Sequence, residues 1–158
     1  MKYSRREFLK VSGTTIACTC LGGVCLSGCS AFSGVSSTPL APSGSYRKEL
    51  GRLVVELEKI EELKRVGGSV KLSIHNPEKG EDIKIILIHP ENKTYLAFSD
   101  RCTHRGKELE FVHPEKKLRC ASRHSEYDLS GQVLKGNAEE PVPVYATELD
   151  GSKLIVNL

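Results

Sequence analysis

Two cysteines and two histidines lie close together in two short segments of the sequence. The first segment begins Cys102-Thr103-His104, the second runs from Cys120 to His124, and fifteen residues separate His104 from Cys120. Thiolate sulfur and imidazole nitrogen are ligands that transition metals favour in proteins. The pattern therefore predicts a metal centre held by Cys102, His104, Cys120 and His124, with one cysteine and one histidine from each segment.

Three interpretations of these four residues remain open on spacing alone. Structural zinc usually takes two cysteines from one segment and two histidines from another, whereas each segment here offers one of each. The mixed arrangement suits a two-iron centre, in which both cysteines hold one iron and both histidines hold the other. A lone pair of cysteines in an oxidising compartment also predicts a disulfide, which is the third interpretation.

The stretch from residue 102 to residue 138 resembles the cluster-binding part of Rieske [2Fe-2S] proteins. The run Cys102-Thr103-His104 with Gly106 matches the first loop of that family, and Cys120 opens the second loop. The resemblance covers nearly the whole predicted domain. It implies an all-β, Rieske-type fold of small antiparallel sheets, with a [2Fe-2S] cluster held by two loops in a cluster-binding part at about residues 99–138.

The second loop departs from the pattern of that family. Arg123 stands where the family has its second histidine ligand, and His124 stands where it has glycine. Because an arginine side chain offers no lone pair to a metal, we expect the loop to shift by one residue and His124 to be the ligand. The alternative is that the fourth ligand is missing.

The sequence also lacks an extra disulfide that links the two loops in quinol-oxidising members of the family. Lys107 and Ser122 occupy the positions of its two cysteines. The resemblance therefore implies a Rieske protein of the type that has no such disulfide.

Two hydroxyl groups are expected beside the cluster. Ser125 and Tyr127 match positions at which higher-potential members of the family donate hydrogen bonds to cluster sulfur. Such donors stabilise the reduced cluster and raise its reduction potential. An ordinary turn serine and a packed tyrosine are the alternative interpretation.

The other three histidines are expected to lie away from the metal centre. His75, His89 and His113 each adjoin a proline turn, which predicts solvent-exposed hairpin tips. His113, seven residues before Cys120, is also considered as a replacement for the missing ligand.

Short strands separated by turn residues fill the C-terminal two thirds of the sequence. Residues 70–74 alternate between apolar and polar, as in a half-buried strand, and residues 83–88 form a nearly continuous apolar run. Residues 89–93 predict the turn of a hairpin, with Pro90 fixing the backbone in the turn. Many short strands without a convincing helix predict one small all-β domain, residues 46–158.

The N-terminus resembles a bacterial export signal. Arg5-Arg6 precedes an uncharged stretch, residues 11–28, which closes with Leu26-Ser27-Gly28-Cys29. This resembles a twin-arginine signal that ends in a lipobox, and it implies that residues 1–28 are removed and that Cys29 carries a lipid. An uncleaved segment that stays in the membrane as an anchor is the alternative. In either case we expect the domain on the periplasmic or other extracytoplasmic face of the bacterial cytoplasmic membrane.

Composition and charge narrow the class of partner. Residues 29–45 are rich in Ser, Gly, Pro and Ala, which predicts a flexible tether. The formal net charge of +3 falls to zero without residues 1–28, because that segment holds four basic residues and one acidic residue. Nothing in this charge balance supports binding to nucleic acid, which would need a clustered basic face. We therefore expect redox proteins at the membrane surface as partners, and no nucleic acid.

These inferences converge on an exported, membrane-tethered electron-transfer protein rather than a stand-alone enzyme. It would pass one electron between membrane-side redox partners, as a free carrier or as a subunit of a quinol-oxidising complex or an oxidase. The alternative function is that of a clusterless Rieske-fold lipoprotein, an accessory or interaction subunit in which Cys102 and Cys120 form a disulfide or stay reduced.

Overall fold

The computed structural model describes residues 36–76 and 80–158. The predicted signal segment, residues 1–28, and Cys29 lie outside the described residues. Among the described residues, no helix has the length and apolar character that crossing a membrane requires. The strands are β1 (Tyr46–Glu49), β2 (Arg52–Glu56), β3 (Ser69–Asn76), β4 (Glu81–Glu91), β5 (Thr94–Ser99), β6 (Leu109–Val112), β7 (Lys117–Cys120), β8 (Ser125–Tyr127), β9 (Val133–Gly136), β10 (Val144–Tyr145), β11 (Thr147–Asp150) and β12 (Lys153–Asn157).

These strands form three four-stranded antiparallel sheets, with short 3₁₀ turns at Leu57–Lys59, Glu61–Lys64 and His113–Glu115. The first sheet has the order β1-β2-β12-β11, the second β10-β5-β4-β3, and the third β6-β7-β8-β9. The predicted all-β class is confirmed. The third sheet and the loop that leads into it lie within the predicted cluster-binding part of the sequence.

The central strand β4 is buried on both of its faces. Ile85 and Leu87 pack into a core shared with the first sheet, whereas Ile86 and Ile88 pack into a second core shared with the third sheet. All four side chains are fully buried. A strand covered on both sides has a continuous apolar sequence, and this explains the run at residues 83–88.

The second core reaches the candidate metal ligands. Cys102 and Cys120 belong to it, together with the fully buried side chains of Phe98, Leu118 and Tyr127. Burial of such side chains contributes about 1.5–3 kcal/mol each to the folded state. The same apolar packing that forms the third sheet therefore fixes the positions of both thiols.

The hairpin between β4 and β5 differs from the prediction. Residues 89–91 continue β4, and the turn consists of Asn92 and Lys93 alone, with Lys93 at φ 58°. Pro90 lies within a register shift of the strand, where a residue without an N–H group is tolerated. The prediction placed Pro90 in the turn because proline is common there, and the bulge that admits it to a strand leaves no clear signal in sequence.

His89 is also buried, contrary to the prediction of an exposed hairpin tip. It is 5% exposed and stacks on Tyr95, with the ring centroids 4.4 Å apart. His75 is exposed as predicted, and its Nδ1 lies 3.1 Å from a carboxylate oxygen of Asp82. The longer course of β4 accounts for the difference, because it carries His89 into the second sheet.

Residues 36–45 lie on the domain, although the sequence assigned them to the flexible tether. The backbone N–H of Lys71 donates to Pro39 O at 2.8 Å, and the N–H of Ala41 donates to Lys71 O at 2.9 Å. Ser45 is fully buried. The sequence predicted a tether because this segment has few apolar side chains that could pack against a core. Backbone hydrogen bonds to the edge strand β3 hold the segment on the domain instead. We call residues 36–41 the strap.

Candidate metal centre

The first candidate loop, residues 101–108, connects β5 to β6. The Cys102 N–H donates to Lys107 O at 2.7 Å, and the Gly106 N–H donates to Cys102 O at 2.7 Å. Gly106 has φ +64°, a conformation that glycine adopts without a steric penalty. These bonds close the loop into a compact turn that carries Cys102 and His104.

The second candidate loop, residues 121–124, connects β7 to β8. The Arg123 N–H donates to Cys120 O at 2.6 Å, and Arg123 has φ 59°. Strand β9 pairs with β8, and its last residue lies against the end of the loop, since a Cβ on Gly136 would lie 1.9 Å from the carbonyl oxygen of His124. The Asn137 N–H donates to that same oxygen at 2.9 Å. The backbone at His124 is thus held by close contact with glycine and by a hydrogen bond.

The thiols of Cys102 and Cys120 meet between the two loops. Each residue is 1% exposed, and both are free cysteines. The two side chains lie close enough that each affects the pKa of the other. The structure thus brings together two predicted ligands that are far apart in sequence.

Each sulfur also contacts hydrogen-bonding groups around it. The backbone N–H of His104 and the hydroxyl of Tyr127, at 3.2 Å, both contact Cys102 Sγ. The backbone N–H of Ser122 and its hydroxyl, at 3.0 Å, contact Cys120 Sγ. Each loop therefore surrounds a sulfur with donors that stabilise negative charge on it.

The two thiols differ in pKa. Burial raises the pKa of Cys102, but the hydrogen bonds from Tyr127 and from backbone N–H groups outweigh burial and bring this pKa below its usual value. Burial dominates at Cys120, so its pKa is raised despite the hydrogen bonds from Ser122. Cys102 is therefore the first of the pair to become a thiolate.

His104 and His124 lie beside each other, one from each loop. Their ring centroids are 6.2 Å apart, with an angle of 52° between the ring planes. His104 is half-buried, whereas His124 is exposed.

The arrangement of donors fits a binuclear cluster. Two thiols lie together and two imidazoles lie together, and this is the set of protein ligands that a Rieske-type two-iron cluster takes. Among the described residues, no group of three or more His, Cys, Asp or Glu side chains is close enough to hold a metal ion. The sulfur donors are buried and hydrogen-bonded, as an iron–sulfur centre requires.

The two predicted hydroxyl groups are both buried beneath the loops. Ser125 Oγ accepts the Ala138 N–H at 3.1 Å, and its own proton remains available. Tyr127 is fully buried, with its hydroxyl on Cys102 Sγ. Burial, followed by the hydrogen bond to Cys102, raises the pKa of Tyr127. The phenol is therefore protonated at neutral pH and able to donate.

Sequence reasoning did not assign the contacts of Ser122 and Thr103. Ser122 was interpreted only as the absence of a disulfide partner, yet its hydroxyl reaches Cys120. Thr103 Oγ1 donates to Glu140 O at 2.7 Å and lies 3.0 Å from the Tyr127 hydroxyl. Their positions in the sequence could have indicated these contacts, because each residue lies within two positions of a predicted ligand.

His113 makes its contacts in another part of the domain. Its ring lies edge-on to Phe111, with centroids 5.8 Å apart, and packs so closely on Gly67 that a Cβ there would lie 2.9 Å from it. Its Nδ1 is buried without a hydrogen-bond partner among the described residues. This histidine contacts neither of the two candidate loops in the interactions that the structure shows.

Fold and site together define a small all-β domain that presents two thiols and two imidazoles on a pair of neighbouring loops. The Rieske [2Fe-2S] domain family matches residues 57–146, which include all four candidate ligands. This match spans more than half of the chain. The chain belongs to the Rieske [2Fe-2S] domain family, as its sequence predicted, and that membership implies a [2Fe-2S] cluster.

Two curated relatives are iron–sulfur subunits of a cytochrome complex. The chain is 26% identical over 78 residues to "Cytochrome b6-f complex iron-sulfur subunit 1" of Nostoc sp. and, equally, to the protein of that name from Trichormus variabilis. Each match covers 49% of this chain and 44% of the relative. The chain therefore spans less than half the length of the relatives it matches.

Two solved structures are also similar. The plasma membrane Rieske protein PetC3 from Synechocystis has a TM-score of 0.46 at 26% identity, over 56% of this chain and 86% of that one. The ferredoxin of carbazole 1,9a-dioxygenase from Nocardioides aromaticivorans has a TM-score of 0.47 at 16% identity, over 60% of this chain and 90% of that one.

Proposed function

We propose that the protein is a one-electron carrier that holds a [2Fe-2S] cluster through Cys102, Cys120, His104 and His124. The observation that carries this proposal is the pairing of like donors, with the two thiols in one buried core and the ring centroids of the two imidazoles 6.2 Å apart. A Rieske cluster uses two cysteines on one iron and two histidines on the other. Bound there, it supplies a centre that gains and loses a single electron.

The geometry of the second loop supports His124 as the fourth ligand. Arg123 takes the left-handed backbone conformation in the turn, and the next residue, His124, places its ring beside His104. The close approach of Gly136 holds the His124 backbone in this arrangement. The left-handed backbone of Arg123 and the close approach of Gly136 on β9 therefore support the proposed one-residue shift.

The surrounding hydrogen-bond donors would set the reduction potential. Groups that donate to sulfur favour the reduced, more negative state and therefore raise the potential, within a family range of roughly −150 to +300 mV. Tyr127 and Ser122 each bring a hydroxyl to one sulfur. Both donors favour a potential in the upper part of that range.

His124 is the exposed residue of the proposed centre, and a redox partner could therefore approach the centre at this residue. His104 is half-buried, and both cysteines are buried. An electron would enter from a donor and leave to an acceptor at this surface, with no group transferred. The relatives named as cytochrome b6-f subunits support a membrane redox complex as the setting.

We further propose that the domain works outside the cytoplasm, attached to the membrane. The twin-arginine motif at Arg5-Arg6 and the lipobox that ends at Cys29 support this location. Attachment is through a lipid on Cys29 or through an uncleaved N-terminal anchor. Redox proteins at the same membrane surface are the proposed partners.

Iron analysis of the full chain, expressed with export intact, tests the proposed function. We expect two irons and two inorganic sulfides per chain, and a Rieske-type electron paramagnetic resonance signal after reduction. Protein that contains no iron and gives no signal would refute the proposal.

A clusterless accessory subunit is the second candidate, and Arg123 in the ligand position of the family favours it. In that case Cys102 and Cys120, which lie in the same buried core, would form a disulfide or stay reduced. Mass measurement without reductant detects a disulfide as a loss of about 2 Da, since each thiol gives up one hydrogen. Iron-free protein, with or without this loss, would favour the second candidate.

A further inference from the structure

Three charged side chains are packed together at the base of the first candidate loop. Lys71 lies on β3 with its side chain 7% exposed, Asp100 follows β5 at 2% exposed, and Glu108 precedes β6. Lys71 Nζ lies 2.5 Å from Glu108 Oε2 and 3.7 Å from Asp100 Oδ2. Buried ion pairs offer little net stability over apolar side chains of the same size, so this group invites an explanation beyond stability.

Asp100 joins the two ends of the first loop. Its backbone N–H donates to Lys84 O at 2.9 Å, and its Oδ1 accepts the N–H of Leu109 at 2.8 Å. Residues 101–108, which include Cys102 and His104, lie between these two anchor points. The carboxylate therefore fixes the distance across which the loop must fold.

Glu108 connects the same ion group to the second loop and to the strap. Its backbone oxygen accepts the Ala121 N–H at 2.9 Å, and its Oε2 accepts the Ser36 N–H at 2.9 Å. Burial raises the pKa of Glu108, but the Lys71 ammonium and the Ser36 N–H together outweigh burial and bring this pKa below its usual value. A single carboxylate thus contacts the strap and Lys71, while its backbone contacts the second loop.

The strap also pairs with Lys71 directly. Pro39 O accepts the Lys71 N–H, and the Ala41 N–H donates to Lys71 O, so that Leu40 and Lys71 form an isolated parallel bridge. The strap therefore lies against the backbone of the residue whose ammonium holds the two carboxylates. It begins at residue 36, within the segment that the sequence predicts as the tether.

We propose that Lys71 is a positioning residue for the first ligand loop and that it couples this loop to docking of the strap. With the strap in place, Lys71 holds Glu108 and Asp100, and they hold the ends of the loop. When the strap leaves β3, water reaches the ion group, the attraction between its members weakens, and the loop loosens. Displacement of the strap would thereby reach the first ligand loop, which carries Cys102 and His104.

The coupling is a property of the chain, and only its consequence for electron transfer rests on the proposed function. Hydrogen exchange measured by mass spectrometry reports the coupling between the strap and the loops in the full chain, whether or not a cluster is bound. The informative peptides are those that cover residues 36–45, 101–109 and 117–124. Iron-free protein would refute the proposed function and leave this test intact.

The substitution Ala41→Pro removes the N–H that the strap donates to Lys71, whereas Ala41→Gly keeps it and serves as the matched control. We expect Ala41→Pro to speed exchange by about tenfold in the strap peptide and also in both loop peptides, as loss of a hydrogen bond that couples them predicts. Ala41→Gly should change the loop peptides little. Faster exchange in the strap alone, or no change in any of the three peptides, would overturn the coupling.

Lys71 is tested by charge removal and by conservative rescue. Lys71→Met should speed exchange in the strap and in both loops, and Lys71→Arg should restore most of the protection because it keeps the cation. Lys64→Met is the control, since Lys64 pairs with Glu61 on the surface. In iron-loaded protein, Lys71→Met should also shift the reduction potential, and Lys64→Met should not. Unchanged loop exchange in a folded Lys71→Met protein would refute the positioning role.

Discussion

The hydroxyl oxygen of Tyr127 lies 3.2 Å from Sγ of Cys102, and its proton is available to that sulfur. The same oxygen accepts the N–H of Thr103 at 3.2 Å, and the Thr103 hydroxyl donates its own proton to Glu140 O. The phenol proton therefore has Cys102 Sγ and Thr103 Oγ1 as acceptors, and a negative sulfur is the stronger acceptor. A buried tyrosine thus acts directly on a proposed cluster ligand.

Replacing Tyr127 with Phe should lower the reduction potential of the iron-loaded protein. The hydrogen bond favours the more negative reduced state, and a shift on the order of 50 mV follows if it contributes about 1.2 kcal/mol more in that state. Tyr46→Phe is the matched control, because Tyr46 donates to Ser73 O in the base of the domain. Protein-film voltammetry measures both variants. An equal shift in the two variants would contradict a specific effect on Cys102.

Gly136→Ala should disrupt the second loop. The Ala Cβ would lie 1.9 Å from the His124 carbonyl oxygen at a residue with φ +105°, so β9 or the loop must move. We expect a loss of more than about 2 kcal/mol in the free energy of unfolding and a reduced iron content. Gly151→Ala is the control, since its φ is +60° with open space around it, and it should cost about 1 kcal/mol. Urea titration of both proteins makes the comparison, and equal costs would contradict the close approach of β9.

Arg123 offers a test of backbone conformation alone. Arg123→Gly and Arg123→Ala both remove the guanidinium, but only glycine adopts φ 59° without a steric penalty. We expect the glycine variant to be more stable by about 1 kcal/mol in urea titration. Equal stability of the two variants would mean that the loop does not require the left-handed conformation.

Glu108→Gln should reduce stability near neutral pH and have less effect in acid. The folded-state pKa of Glu108 is lowered, so its ionised form stabilises the fold above the unfolded pKa of about 4.3, and this contribution is lost as pH falls through the folded pKa. We expect a difference of about 1 kcal/mol at pH 7 that shrinks at about pH 3. Urea titrations at the two pH values measure it. A difference that grew in acid would contradict the sign of the shift.

The sequence predicted the fold where local patterns decide it and missed features that depend on distant contacts. The continuous apolar run at residues 83–88 predicted a buried strand, because burial on both faces leaves a direct mark on composition. The burial of His89 and the place of Pro90 in a bulge could not be predicted, because both depend on how far β4 extends beside β5. The strap was missed for a related reason, since backbone hydrogen bonds hold it and composition does not reveal them.

The candidate site also combines features that the local sequence predicted with features that depend on distant contacts. The spacing of cysteine and histidine, together with the family resemblance, was sufficient to locate both loops in the sequence. The ion group of Lys71, Asp100 and Glu108 could not be predicted in this way, because Lys71 lies 37 residues from Glu108 in sequence. The choice between Arg123 and His124 also depends on the folded loop, because the backbone turn decides which side chain faces His104.

The iron content of two neighbouring variants, His124→Ala and Arg123→Ala, tests the proposed ligand set most directly. Both remove an exposed side chain from the same loop, so each is a control for the other. Iron analysis and the electron paramagnetic resonance spectrum of the reduced protein should show that His124→Ala loses the cluster and Arg123→Ala retains two irons per chain. A cluster that survives His124→Ala, or one that is lost only with Arg123→Ala, would contradict His124 as the fourth ligand.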